Sequence, residues 1–215
     1  LRDLGREHVD WLAAQNGFAG QISFDGSYFE WHRIIDLHPS SGQPDVGRFW
    51  FEGDVMIEEG RDIPYIEHWH RGTPVAAACA AVLMNELTTG RRAVIVRVGD
   101  VFMIARDRRV PVSGCTTLAN CIAETQDINA AQDLVDCEVS FGNVETAGWR
   151  ITHSTLPWRE GNCLQPQRKS FPGGFGLRIG DISAEGHSVM RNWVVETVQG
   201  SLADLMGDSG DASAA

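Results

Sequence analysis

Phe29-Glu30-Trp31-His32-Arg33-Ile34-Ile35-Asp36-Leu37 alternates with a period of two, the signature of a β-strand, in which residues i and i+2 project from one face. Phe29, Trp31, Arg33, Ile35 and Leu37 then share a face, with Glu30, His32, Ile34, Asp36 and His38 opposite. The tripeptide Trp-His-Arg returns at Trp69-His70-Arg71, where the same alternation groups Tyr65, Glu67, Trp69 and Arg71 against Ile66, His68 and His70. Each Trp-x-Arg sets an indole beside a guanidinium, where stacking or a cation–π contact can form. The two ladders are expected to line one aromatic hollow.

Working outward, residues 1–15 read as an amphipathic helix with Leu4, Val9, Trp11 and Leu12 as its apolar positions, stopped by Asn16-Gly17. Strands follow at 18–24 and 28–37 around Asp25-Gly26, at 46–52 and 55–59 around Gly53-Asp54, and at 65–71. The alanine-rich stretch 76–87 favours a helix. A hairpin is expected at 93–98 and 101–106, turning at Gly99-Asp100, and two short helices over 116–135, divided near Asp127 to Asn129. Strands resume at 137–141, 148–154, 176–182 and 187–198, and 201–215 reads as a weakly ordered tail. Ser23-Phe24 before Trp31 is echoed by Ser140-Phe141 before Trp149, a spacing consistent with duplication of a β unit.

The net charge of −11 argues against a nucleic-acid partner. With 43% hydrophobic and 22% charged residues and no apolar run of membrane-spanning length, the chain reads as soluble and globular. Its opening residues carry no leader pattern, and Leu1 in place of an initiator Met leaves the natural start open. The five cysteines (Cys79, Cys115, Cys121, Cys137 and Cys163) include no Cys-x-x-Cys pair and read as free thiols of a reducing, cytoplasmic compartment.

Short successive antiparallel strands, an early tryptophan and an arginine on a neighbouring strand resemble the calycins, the group that holds lipocalins and fatty-acid-binding proteins. Tyr65-x-Glu67-x-Trp69-x-Arg71, preceded by Asp45-x-Gly47-Arg48, is similar to a fungal double-calycin family of unassigned function, over residues 18–71. The resemblance implies a mainly β fold of two calycin-like antiparallel β-barrel units, with an N-terminal helix and helical connections. It brings no activity or cofactor with it. The expected organisation is a helix at 1–17, a first β unit at 18–110, a helical connection at 111–135, a second β unit at 136–200 and a tail at 201–215.

The first candidate site is the ladder group Trp31, Arg33, Tyr65, Glu67, Trp69 and Arg71. A buried charge is costly unless paired, so Glu67 needs one of the arginines, and a surplus guanidinium could hold an anionic or carbonyl-bearing ligand. A structural cluster closing a barrel end is the competing account. His68 and His70, with His32, form a weaker metal candidate, set against ordinary exposed histidines. His153 with Glu160 could act as an acid–base pair, although His153-Ser154 lacks any nucleophile elbow. Pro172-Gly173-Gly174-Phe175-Gly176 fits neither phosphate-loop pattern. The leading expectation is a protein that binds a small organic molecule, with Trp31, Arg33, Trp69 and Arg71 as ligand-binding residues. The competing one is a cofactor-independent lyase, isomerase or cyclase in which Glu67, Tyr65 or His153 moves protons. Neither requires a cofactor, a nucleic acid or a membrane, and both are compatible with a homodimer.

Overall fold

The computed structural model describes residues 3–72 and 79–207. The protein is mainly β, 49% strand and 16% helix, built from two curled antiparallel half-barrel sheets and a few helices. The first sheet is a simple meander of β1 (Phe18–Phe24), β2 (Phe29–Asp36), β3 (Asp45–Glu52), β4 (Val55–Gly60) and β5 (Ile66–His70). Its first turn closes because the Asp25 carboxylate accepts from the amides of Ser27 and Tyr28, both at 2.8 Å, and Gly26 takes a positive φ.

The second sheet holds β6 (Cys79–Glu86), β7 (Arg92–Val98), β8 (Val101–Arg106), β9 (Glu138–Glu145), β10 (Gly148–Ser154), β11 (Cys163–Leu164), β12 (Gln167–Phe171), β13 (Gly174–Ile182) and β14 (Ser188–Gln199). Its strand order is β11-β10-β9-β8-β7-β6-β14-β13-β12. Leu164 on β11 and Leu177 on β13 belong to one apolar cluster although six strands separate them in that order, so the sheet wraps around its own interior. Met84, Ile95, Phe102, Trp149 and Trp193 fill that interior. The strands expected in a first unit at 18–110 are therefore shared between the sheets, with β6, β7 and β8 in the second.

Three helices, α1 (Arg6–Ala13), α2 (Leu118–Glu124) and α3 (Ile128–Val135), cover the outer face of the second sheet. Thr117 and Asp127 cap α2 and α3, each side chain accepting from a backbone amide of the first turn. Val9, Leu12, Leu118, Ile122 and Val135 pack there with Leu83, Val94 and Val139, and Ala19, Ile35 and Leu37 of the first sheet join the same core. Trp11, expected on the apolar stripe of α1, is instead exposed.

Three expectations are corrected. The helix at 76–87 is strand β6 from Cys79 onward, its first three residues lying outside the described segments. β6 is central and covered on both faces, with Ala80, Val82 and Met84 inside and Leu83 among the helices; a strand buried on both sides loses the alternation that would announce it. The expected tail contains a helix, α4 (Leu202–Met206), capped by Ser201 and ended by left-handed Gly207, with Leu205 fully buried. Cys115 and Cys121 form a disulfide, leaving Cys79, Cys137 and Cys163 free, which removes the ground for reading all five as thiols of a reducing compartment. Among the described residues no helix is long and apolar enough to cross a membrane.

Candidate functional site

A β-bulge decides which side chains enter the site. On β2, Ile35 pairs with Ala19 and Arg33 with Gly20, so Ile34 is an extra residue without a partner. Alternation consequently slips by one after Arg33. Asp36 and His38 join Trp31 and Arg33 at a cavity of about 690 Å3, while Ile35 and Leu37 turn into the core beside the helices. The expected five-residue ladder therefore breaks at its midpoint. Gly20 permits this, because a Cβ there would overlap the His32 carbonyl oxygen.

The sheet curls around this face. β2 and β5 are three steps apart in strand order, roughly 14 Å if the sheet were flat, yet the rings of Trp31 and Trp69 stack 5.7 Å apart. Phe18 meets Trp31 edge-on at 6.0 Å. Trp31 donates through Nε1 to Glu58 Oε1 (3.1 Å), reaching over β3 at Gly47, where a Cβ would lie 2.6 Å from that oxygen. Tyr65 donates its hydroxyl to the same oxygen (3.0 Å), and Gly60 leaves room for its ring. A glycine inside β3 and another at the end of β4 thus make the space that lets an indole, a phenol and a carboxyl group converge.

Glu58 is 1% exposed and has no salt-bridge partner among the described residues, and its Oε2 is sealed from solvent without a hydrogen bond. It pairs directly across the β4–β5 ladder with Glu67, so the two carboxyl groups share a face as immediate neighbours. Glu67 is itself exposed; partial desolvation, then the proximity of Glu58 and Asp45, raises its pKa above its ordinary value, against a smaller lowering by Arg33. Burial and the same two acids also push the Tyr65 phenol well up, so its hydroxyl stays a proton donor. Arg33 is committed elsewhere. It bridges Asp36 (2.9 Å) and Asp45 (2.7 Å), with its guanidinium 4.0 Å over the Phe18 ring. Glu30, Asp36, Asp45, Glu58 and Glu67 outnumber that one arginine, so the cavity wall is acidic.

Trp31, Arg33, Tyr65, Glu67 and Trp69 thus meet at one cavity, and two expected residues do not line it. Arg71 lies beyond the end of β5 and is exposed. His153 sits on β10 of the second sheet, exposed, with Nδ1 3.1 Å from Thr152 Oγ1, while Glu160 accepts from the Ser154 amide. His68 and His70 are exposed on the opposite face of β5 from Glu67 and Trp69. His32 contacts Ser23 and Glu30, and no group of three potential ligands that could hold a metal ion is present among the described residues. Sequence reasoning missed Glu58. The signals were the strand-interior glycine at 47, the glycine at 60 that closes β4, and the alternation Met56, Glu58 on β4.

The site belongs to an open, curled β-sheet whose hollow face is aromatic and acidic. Comparison with protein families, with curated proteins and with solved structures gives no match to this chain.

Proposed function

We propose that the hollow of the first sheet, a calycin-like cup, binds a small organic molecule with an aromatic or apolar body and a cationic or hydroxyl-bearing end. Trp31, Trp69 and Phe18 offer the apolar wall. The observation that carries the reading is Glu58, a buried carboxyl group with one oxygen unpaired, on a wall whose arginine is already shared by two aspartates. An unpaired buried acceptor is costly, and a guest's donor removes that cost as the Glu58 side chain turns its sealed Oε2 toward the cavity. The same balance disfavours the anionic guest that two free arginines would have suited.

A second reading is supported by Glu67, which has no hydrogen-bond partner among the described residues and a raised pKa. A carboxylic acid next to a second carboxyl group and a phenol can deliver and recover a proton, as a cofactor-independent lyase, isomerase or cyclase requires.

Saturation-transfer NMR with the matched pair phenethylamine and 3-phenylpropionate tests the binding proposal. The amine is expected to show saturable transfer that Glu58→Gln abolishes, with circular dichroism unchanged. Preference for the carboxylate, or amine binding indifferent to Glu58→Gln, overturns it.

A further inference from the structure

Beyond the first hollow lies a second cleft of about 450 Å3, and its chemistry has the opposite sign. Three segments form it: the β6–β7 turn at Thr89 to Arg92, the chain leaving β8 from Asp107 to Val112, and the chain leaving β2 from Asp36 to Ser40. Asp107 donates its amide to the Arg92 carbonyl (2.9 Å), which holds the first two segments together. Arg108, buried, donates to the carbonyls of Asp36 (2.9 Å) and Leu37 (2.6 Å), which fixes the third.

Four arginines line this cleft (Arg91, Arg92, Arg108 and Arg109), in a chain whose net charge is −11. Two carboxylates also line it, half the number of the arginines. Asp36 binds Arg33 with one oxygen and the His38 amide with the other, and Asp107 accepts from the Arg108 amide. Arg91 turns its Nε toward Glu86 (2.8 Å) and is structural. Arg92 makes one long, exposed contact with Glu196 (3.8 Å), a pair of little energetic weight. Arg109 is exposed, and Arg108, 6% exposed, keeps a buried Nε with no acceptor. That Nε is closed to solvent and the buried Cys137 thiol lies beside the Arg108 side chain, so Arg108 anchors the cleft, and Arg92 and Arg109 are its uncommitted arginines.

We propose that this cleft is a binding site for a small oxyanion, a phosphate or carboxylate group held by Arg92 and Arg109 over the Arg108 anchor. Guanidinium forks match both groups in bidentate geometry. The source is a small molecule in solution, since the overall negative charge repels anionic membranes and nucleic acids. The site stands independently of what the first hollow binds.

Calorimetric titration of the whole protein with inorganic phosphate, pyrophosphate and citrate at low salt tests it. One saturable site is expected, about tenfold weaker for each of Arg92→Ser and Arg109→Ser. Arg48→Ser, which removes an exposed arginine paired with Glu59 on the first sheet, is expected to leave binding unchanged, and circular dichroism verifies that each variant folds. Absence of saturable binding for all three anions, unchanged affinity in the Arg92/Arg109 double variant, or an equal loss in Arg48→Ser overturns the proposal.

Discussion

The two sheets curl alike and dispose of their polar groups in opposite ways. Inside the second, Arg91, Arg106, Arg159 and Arg191 face Glu86, Asp136, Glu138 and Asp181 as four against four. Arg106 alone reaches Asp136 (2.8 Å), Glu138 (3.5 Å) and Asp181 (3.6 Å), and Arg191 bonds both Asp181 and Glu86. The lattice is buried above a filled apolar core, and the charges cancel. In the first sheet the hollow face is open, and five carboxyl groups stand against a single arginine. A closed interior must balance its charges or lose stability; an imbalance survives where a guest or solvent can answer it. That contrast directs the functional search to the first sheet.

The comparison breaks most forcefully at Arg106. Arg106→Met leaves the buried Glu138 and Asp181 and the half-buried Asp136 short of a partner and is expected to cost about 3–5 kcal/mol by chemical denaturation. The same lattice sets the acid response. Burial works against the Asp181 carboxylate, yet Arg106, Arg159 and Arg191 outweigh it and hold its pKa down to about 2. Asp136 and Glu86 are also held below their ordinary values, burial being outweighed by Arg106 and Arg91 at Asp136 and by the Thr89 hydroxyl, Arg91 and Arg191 at Glu86. Depressed carboxylates stabilise above their unfolded pKa and lose that effect as they protonate in the folded state. The melting temperature is therefore expected to fall as pH drops from about 4.5 toward about 2.

Paired tryptophans sharpen the contrast. Trp149, buried against Phe102 at 5.1 Å, should cost about 3–5 kcal/mol on replacement by alanine. Trp31→Ala should cost roughly 1–2 kcal/mol, since its ring is only partly removed from water. Equal losses would mean that the first hollow is packed as a core. The smallest effect is expected at Glu67. Its raised pKa means that ionisation opposes folding, so Glu67→Gln should stabilise by a few tenths of a kcal/mol at neutral pH. The gain should vanish below about pH 4.5, where the unfolded chain is protonated too. A loss of stability at neutral pH would instead give Glu67 a structural role.

Local pattern was legible wherever one face of an element meets water. The hairpins at Asp25-Gly26 and Gly99-Asp100 and the division of 116–135 into two helices near Asp127 lie where turn and helix chemistry alone puts them. Trp31, Arg33, Tyr65, Glu67 and Trp69 were also legible as one group, because alternation along a strand is a backbone property. Strand β6 was not, since alanine and methionine suit a helix equally and only neighbours on both sides select the strand.

The amino-acid order by itself determined that this chain is mainly β and that two strands send an indole and polar groups to a common side. Only the tertiary structure decided that Ile34 is bulged, that Glu58 rather than Arg71 completes the hollow, and that four arginines meet in a neighbouring cleft. The reason is physical: a strand's period fixes relative facing within a few residues, whereas bulges, curl and the pairing of distant charges depend on partners far away in sequence.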